Sequence, residues 1–125
     1  MSGICLLVAG ALRATLPGTE FTLTWEHSVE KVEWRESYIV SSGALRLVEA
    51  RVSGSGAGME APAGATLRDG AWTWMPAAAP LPELRLTFSG FTRDYRLCSA
   101  VRCASLGELA APLADGDVVT VRACG

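Results

Sequence analysis

The sequence predicts an all-β fold: a single antiparallel sandwich or barrel of roughly seven to ten short strands over residues 1–125, with little or no helix. Three observations carry this. Apolar residues recur at every second position, the period of a half-buried strand. Glycine, proline, aspartate and serine punctuate the runs between them. With 125 residues, half of them apolar and 19% charged, the chain suffices for one core of its own.

Taken in order, "ICLLVAGAL" (Ile4–Leu12) opens the chain with a first strand. It is too short to cross a bilayer, which takes about 20 apolar residues. "EFTLTWEH" puts Phe21, Leu23, Trp25 and His27 on one face, and "VEWRESYIV" groups Val32, Trp34, Glu36, Tyr38 and Val40. In "ALRLVEARV" the apolar set changes parity, Leu45 and Leu47 against Val48, Ala50 and Val52, so its faces stay unassigned. Asp69-Gly70 is a two-residue hairpin turn between Thr66–Leu67 and Trp72–Trp74. "MPAAAPLPE" is an irregular connector, because proline cannot donate to a ladder. "ELRLTFS" alternates again, as does "FTRDYRLC", in which Asp94 is expected to pair with an arginine. "SLGELAAPL" allows one short helical turn before Pro112, and "DVVTVRAC" supplies a β-branched final strand. The four tryptophans are expected mostly in the core.

The stretch from Thr24 to Val40 holds the sole histidine and the sole lysine of the chain. Its apolar face is odd-numbered up to Val29 and even-numbered from Val32, as a hairpin turning near Ser28–Lys31 requires. Four loop residues set Trp25 opposite Trp34, His27 opposite Val32 and Leu23 opposite Glu36. Two would set His27 opposite Trp34. In either register His27 and Glu36 are the polar members of a tryptophan face. Such a pair reads as two groups satisfying each other, as a ligand contact on an aromatic wall, or as a general base with its carboxylate. Glu30, Lys31 and Glu33 read as a solvated turn and outer face.

Cys5, Cys98, Cys103 and Cys124 lack the close pairing of a zinc site, and no metal or cofactor is expected. The most economical disulfides are Cys98–Cys103, clasping a hairpin tip, and Cys5–Cys124, tying the first strand to the last. Persistent disulfides imply an oxidising compartment. A formal charge of −2 without a basic run argues against nucleic acid as a partner. Basic charge is ten arginines to one lysine, and neither Asn nor Gln occurs, so amide side chains play no part in recognition. "SGSGAGMEAP" (Ser53–Pro62) lacks the Lys-Ser/Thr of a phosphate loop. It reads as a turning strand end, or as backbone approaching a ligand with Met59 and Glu60 at its tip.

"FTLTWEHSVEKVEWRESYIV", "LRLVEARVSGSGAGMEAPAGATLRDGAW", "LPELRLTFSGFTRDYRLC" and the ending "VTVRAC" together resemble the bacterial family called domain of unknown function 1850. The resemblance maps its recurrent residues onto Trp25, His27, Ser28, Glu30 and Lys31, then Gly54, Gly56, Gly58, Met59 and Glu60. It implies a small exported protein, often encoded beside TRAP-type transporters of the TAXI class, and hence a periplasmic location with the signal segment absent from this mature form.

The leading expectation is a periplasmic accessory module. It binds a small solute or a transporter component through Trp25, His27, Glu30, Trp34, Glu36 and the loop bearing Gly54, Gly56, Gly58, Met59 and Glu60. The alternatives are a hydrolase-like enzyme using His27 with Glu30, Glu36 or Glu60, and a purely structural or assembly domain.

Overall fold

The computed structural model describes residues 3–27, 32–53 and 64–124, and of residue 27 the backbone alone. Its elements in chain order are β1 (Gly3–Val8), β2 (Ala11–Pro17), β3 (Glu20–His27), β4 (Val32–Ser41), β5 (Ala44–Ser53), β6 (Thr66–Arg68), β7 (Ala71–Trp74), β8 (Leu84–Thr87), β9 (Arg96–Ser99), β10 (Cys103–Ser105), α1 (Leu106–Leu109) and β11 (Val118–Cys124). The described residues thus hold eleven strands, slightly more than the pattern predicts. β2 has no clean alternation to announce it. It exists because Ala9 and Gly10, with φ of 50° and 80°, fold the opening apolar run back on itself.

Two antiparallel sheets form the sandwich. The smaller has the order β2-β1-β11-β8, the larger β10-β9-β3-β4-β5-β7-β6. Between them lies one core: Ile4, Leu6 and Val8 of β1, Leu86, Val119 and Val121 meet Phe21, Leu23, Tyr38, Leu45 and Leu97 of the larger sheet. Leu106 and Leu109 of α1 close one side of it. That turn forms because Ser105 caps it. The Ser105 hydroxyl accepts from the Glu108 N–H, and the Glu108 carboxylate reaches back to the Ser105 N–H.

The parity change in β5 has a structural cause. Ser37 pairs with Glu49 but Tyr38 pairs with Leu47, so Val48 is an extra residue in a β-bulge. Leu45 and Leu47 before the bulge and Ala50 and Val52 after it therefore face the same way. Asp69 and Gly70, both with positive φ, make the predicted hairpin turn between β6 and β7. The proline connector touches the sheet once, through paired backbone hydrogen bonds of 2.8 Å between Leu45 and Leu81.

The sheets differ in strand length. β4 and β5 run for ten residues each, about 33 Å, whereas the smaller sheet's strands have four to seven residues, about 13–23 Å. One end of the larger sheet therefore extends past its cover.

Both expected disulfides are present, Cys5–Cys124 and Cys98–Cys103. Among the described residues no helix is long and apolar enough to cross a membrane. Because the first bridge spans 119 residues and the second 5, chain entropy assigns them about 5 and about 2 kcal/mol. Urea unfolding should accordingly show a greater loss of stability for the Cys5→Ser/Cys124→Ser variant than for Cys98→Ser/Cys103→Ser. Equal losses would contradict this ordering.

Candidate functional site

Trp25 lies directly opposite Trp34, His27 opposite Val32 and Leu23 opposite Glu36, the register of a four-residue connection. The two-residue alternative is excluded. Cross-strand partners share a face, and the pairing continues from Trp34 to Val52 and from Val52 to Trp72. On the same face Glu36 pairs with Ala50, and Ala50 with Trp74. Toward one end this face is fully covered, and Phe21, Leu23 and Leu97 are buried. Toward the other it passes beyond the smaller sheet, and Trp25, Trp34, Trp72 and Trp74 are all half-buried. Trp25 alone of the four packs on the main core. The expectation of core tryptophans thus holds only in part: all four are half-buried and one of them packs on the main core.

The rings form a continuous series. Trp25 stacks nearly parallel to Trp34, with centroids 6.2 Å apart. Trp34 meets Trp74 edge-on at 6.2 Å, and Trp25 meets Tyr95 at 5.8 Å with a tilt of 55°. Both geometries suit the aromatic quadrupole. Tyr95 immediately precedes β9, which flanks β3 on the side away from β4. Trp25 is therefore held between Trp34 and Tyr95.

Beside Tyr95 and Trp25 the surface opens into a cleft of about 240 Å³, also lined by Glu26, Thr87, Ser89, Thr92, Arg93 and Asp94. The Arg93 guanidinium donates to the Glu26 carboxylate at 3.2 Å across its rim. Asp94 does not pair with an arginine as expected. Its Oδ2 accepts from the Gly107 N–H at 2.6 Å, fastening the β8–β9 connection to α1. Phe91, 89% exposed, stands on that connection between two cleft-lining residues, Ser89 and Thr92.

Glu36 has a protein partner. Its Oε1 accepts from the hydroxyl of buried Tyr38 at 2.8 Å. Burial, then the hydrogen bond and the negative charge of Glu36, push the Tyr38 phenol above its ordinary value. Positions 27 and 36 share a face but lie four residues apart along it, about 13 Å. Among the described residues the partner of Glu36 is Tyr38. The side chain of His27 and all of Glu30, Gly54, Gly56, Gly58, Met59 and Glu60 lie outside the described residues, as do Ser28 and Lys31. What the register does establish is a common end: β3 stops at His27, β4 starts at Val32 and β5 stops at Ser53, all beside the Trp25–Trp34 pair.

A family model described as Domain of unknown function (DUF1850) matches residues 21–106. The chain belongs to that family. No curated protein and no solved structure matches it. The DUF1850 match runs from Phe21 to Leu106, so it takes in the larger sheet with its aromatic end and omits β1, β2 and β11. Of the residues around the cleft, sequence reading singled out Trp25. Tyr95 and Arg93 sit in a stretch whose alternation suggests a strand from Phe91, whereas β9 begins only at Arg96, and Ser89 ends an alternating run whose strand, β8, stops at Thr87.

Two measurements probe this construction. A Trp25→Ala/Trp34→Ala double-mutant cycle should return a coupling of about 0.5–1.5 kcal/mol, read from unfolding free energies; zero coupling would refute the stacking. Tyr38 favours its protonated form in the folded chain more than in the unfolded one. Its contribution is complete below the unfolded-state value of about 10 and declines as pH rises above it. Stability measured between about pH 9 and 11 should fall, and Tyr38→Phe should flatten that slope.

Proposed function

We propose that this DUF1850 domain is an exported accessory module that binds rather than catalyses. It receives a small solute, or a segment of a transporter component, on the aromatic end of its larger sheet. The observation that carries this reading is the half-buried series Tyr95–Trp25–Trp34–Trp74, which runs from the edge of the main core and ends in a polar-rimmed cleft. An apolar platform with a few convergent polar groups is what small-ligand sites require. Tryptophan and tyrosine also supply large contact area at low entropic cost, which suits recognition.

The compartment in this proposal is the periplasm. Two disulfides support an oxidising environment, and the Cys5–Cys124 tie would be lost where thiols are kept reduced. A TRAP-type transporter is the proposed setting, on the strength of the family resemblance. The hydrolase reading receives less support, because Glu36 is already engaged by Tyr38.

A thermal-shift panel of carboxylic acids, sugars and short peptides tests the solute form, and co-purification with the transporter subunits tests the partner form. A true ligand at about 100-fold over its Kd should stabilise the domain by about 2.7 kcal/mol. Trp25→Ala and Trp34→Ala should abolish that gain. A gain of equal size in both variants would place binding elsewhere and defeat the proposal.

A further inference from the structure

Resting on that reading, the cleft's own chemistry narrows the ligand class. We infer that the cleft beside Trp25 and Tyr95 takes one uncharged, polyhydroxylated ring, that is, a neutral monosaccharide or the terminal unit of a glycan. Three features converge on this class.

The first is charge. Arg93 is matched by Glu26 across the rim, and Asp94 is held by the Gly107 N–H. An anionic ligand would have to displace Glu26 from Arg93 to find its counter-charge, whereas a neutral one leaves that pair in place, and the second Asp94 oxygen, buried without a partner, can accept from a ligand hydroxyl. The matched rim pair also offers donors and a carboxylate acceptor side by side, which suits vicinal hydroxyls that donate and accept at once.

The second is the set of remaining polar groups, the hydroxyls of Thr87, Ser89 and Thr92. Each can donate or accept according to what it meets. The Ser89 hydroxyl oxygen already accepts from the Phe91 N–H at 3.2 Å, so its proton is directed toward another acceptor. Three adaptable hydroxyls give poor selectivity for a carboxylate but fit a ligand whose own hydroxyls alternate in role.

The third is shape. Trp34 backs Trp25, while Tyr95 leans across it at 55°, making a wedge of two aromatic surfaces. A pyranose has one face of C–H bonds and a rim of hydroxyls, so it can lie on the apolar wall while its rim meets the polar groups. The volume of about 240 Å³ lies below the roughly 300–1,000 Å³ of drug-sized sites, which limits occupancy to a single ring.

The test is a titration of the intact domain followed by intrinsic tryptophan fluorescence and by saturation-transfer NMR. The probes are methyl α-glucopyranoside, galactose and N-acetylglucosamine, set against succinate, glutamate and a neutral dipeptide. The inference expects saturable binding of at least one sugar at millimolar concentrations, unchanged by added salt because no net charge is neutralised. Trp25→Ala should weaken it at least ten-fold. Since that variant also loses packing, Thr92→Val, at an exposed position, provides a second reading and should weaken it several-fold without lowering the melting temperature. If succinate, glutamate or the dipeptide binds in a Trp25-dependent manner and no sugar does, the ligand class is wrong while the binding module stands. If a sugar binds with equal affinity in wild type, Trp25→Ala and Thr92→Val, the cleft is not its site. If no probe of either class binds and the transporter subunits also fail to co-purify, both the inference and the function it rests on fall.

Discussion

Everything at the aromatic end depends on the alignment of β3 with β4. One residue more or less in their connection would turn alternate side chains to the opposite face, sending tryptophan outward and arginine inward. With Trp25 facing Trp34, apolar surfaces meet across the strand pair while Thr24 and Arg35 pair on the other side. The neighbouring strands inherit this choice. Leu97 can fall opposite Leu23 in the core, and Val52 opposite Trp34, because both strands of the hairpin present their apolar side to the same layer.

The bulge at Val48 solves a related problem. A ten-residue strand without it would keep Leu45 and Leu47 inside only by turning Ala50 and Val52 outward. One inserted residue restores both sets to the inner face, so Leu45, Ala50 and Val52 are all buried. Long strands then carry the larger sheet beyond the smaller one. There the flat rings of Trp25, Trp34 and Trp74 stand on neighbouring strands around buried Ala50 and Val52. The rings are left half in contact with solvent.

How much of this was legible in the sequence follows from the range of each interaction. The shared face of β3 and β4, the Asp69-Gly70 turn, the short helical turn and the Cys98–Cys103 clasp are set by local spacing and could be read from it. Spacing left two β3–β4 registers open, and the Cys5–Cys124 tie joins residues 119 apart. The bulge left a readable trace as a parity change in β5, although its cause lies in the neighbouring strand. β2 stayed hidden because two ordinary residues at positive φ reverse a run that reads as continuous. The cleft was legible only at Trp25. Tyr95 and Ser89 reach it through the path of the β8–β9 connection, which Asp94 secures by a bond to Gly107 thirteen residues away. A contact of that kind has no signature in alternation.

The larger sheet ends on both sides in strands of only three residues, β10 and β6. Unpaired backbone amides and carbonyls on a long border invite another chain to zip on as an additional strand, the route to filaments and exchanged dimers. The outermost strands, one of them stapled by Cys98–Cys103, are too short to offer much of that template themselves. The breadth of this layer is thus not matched by the length of the strands at its rims, and a copy of the chain would find only a brief stretch of outermost strand to zip onto.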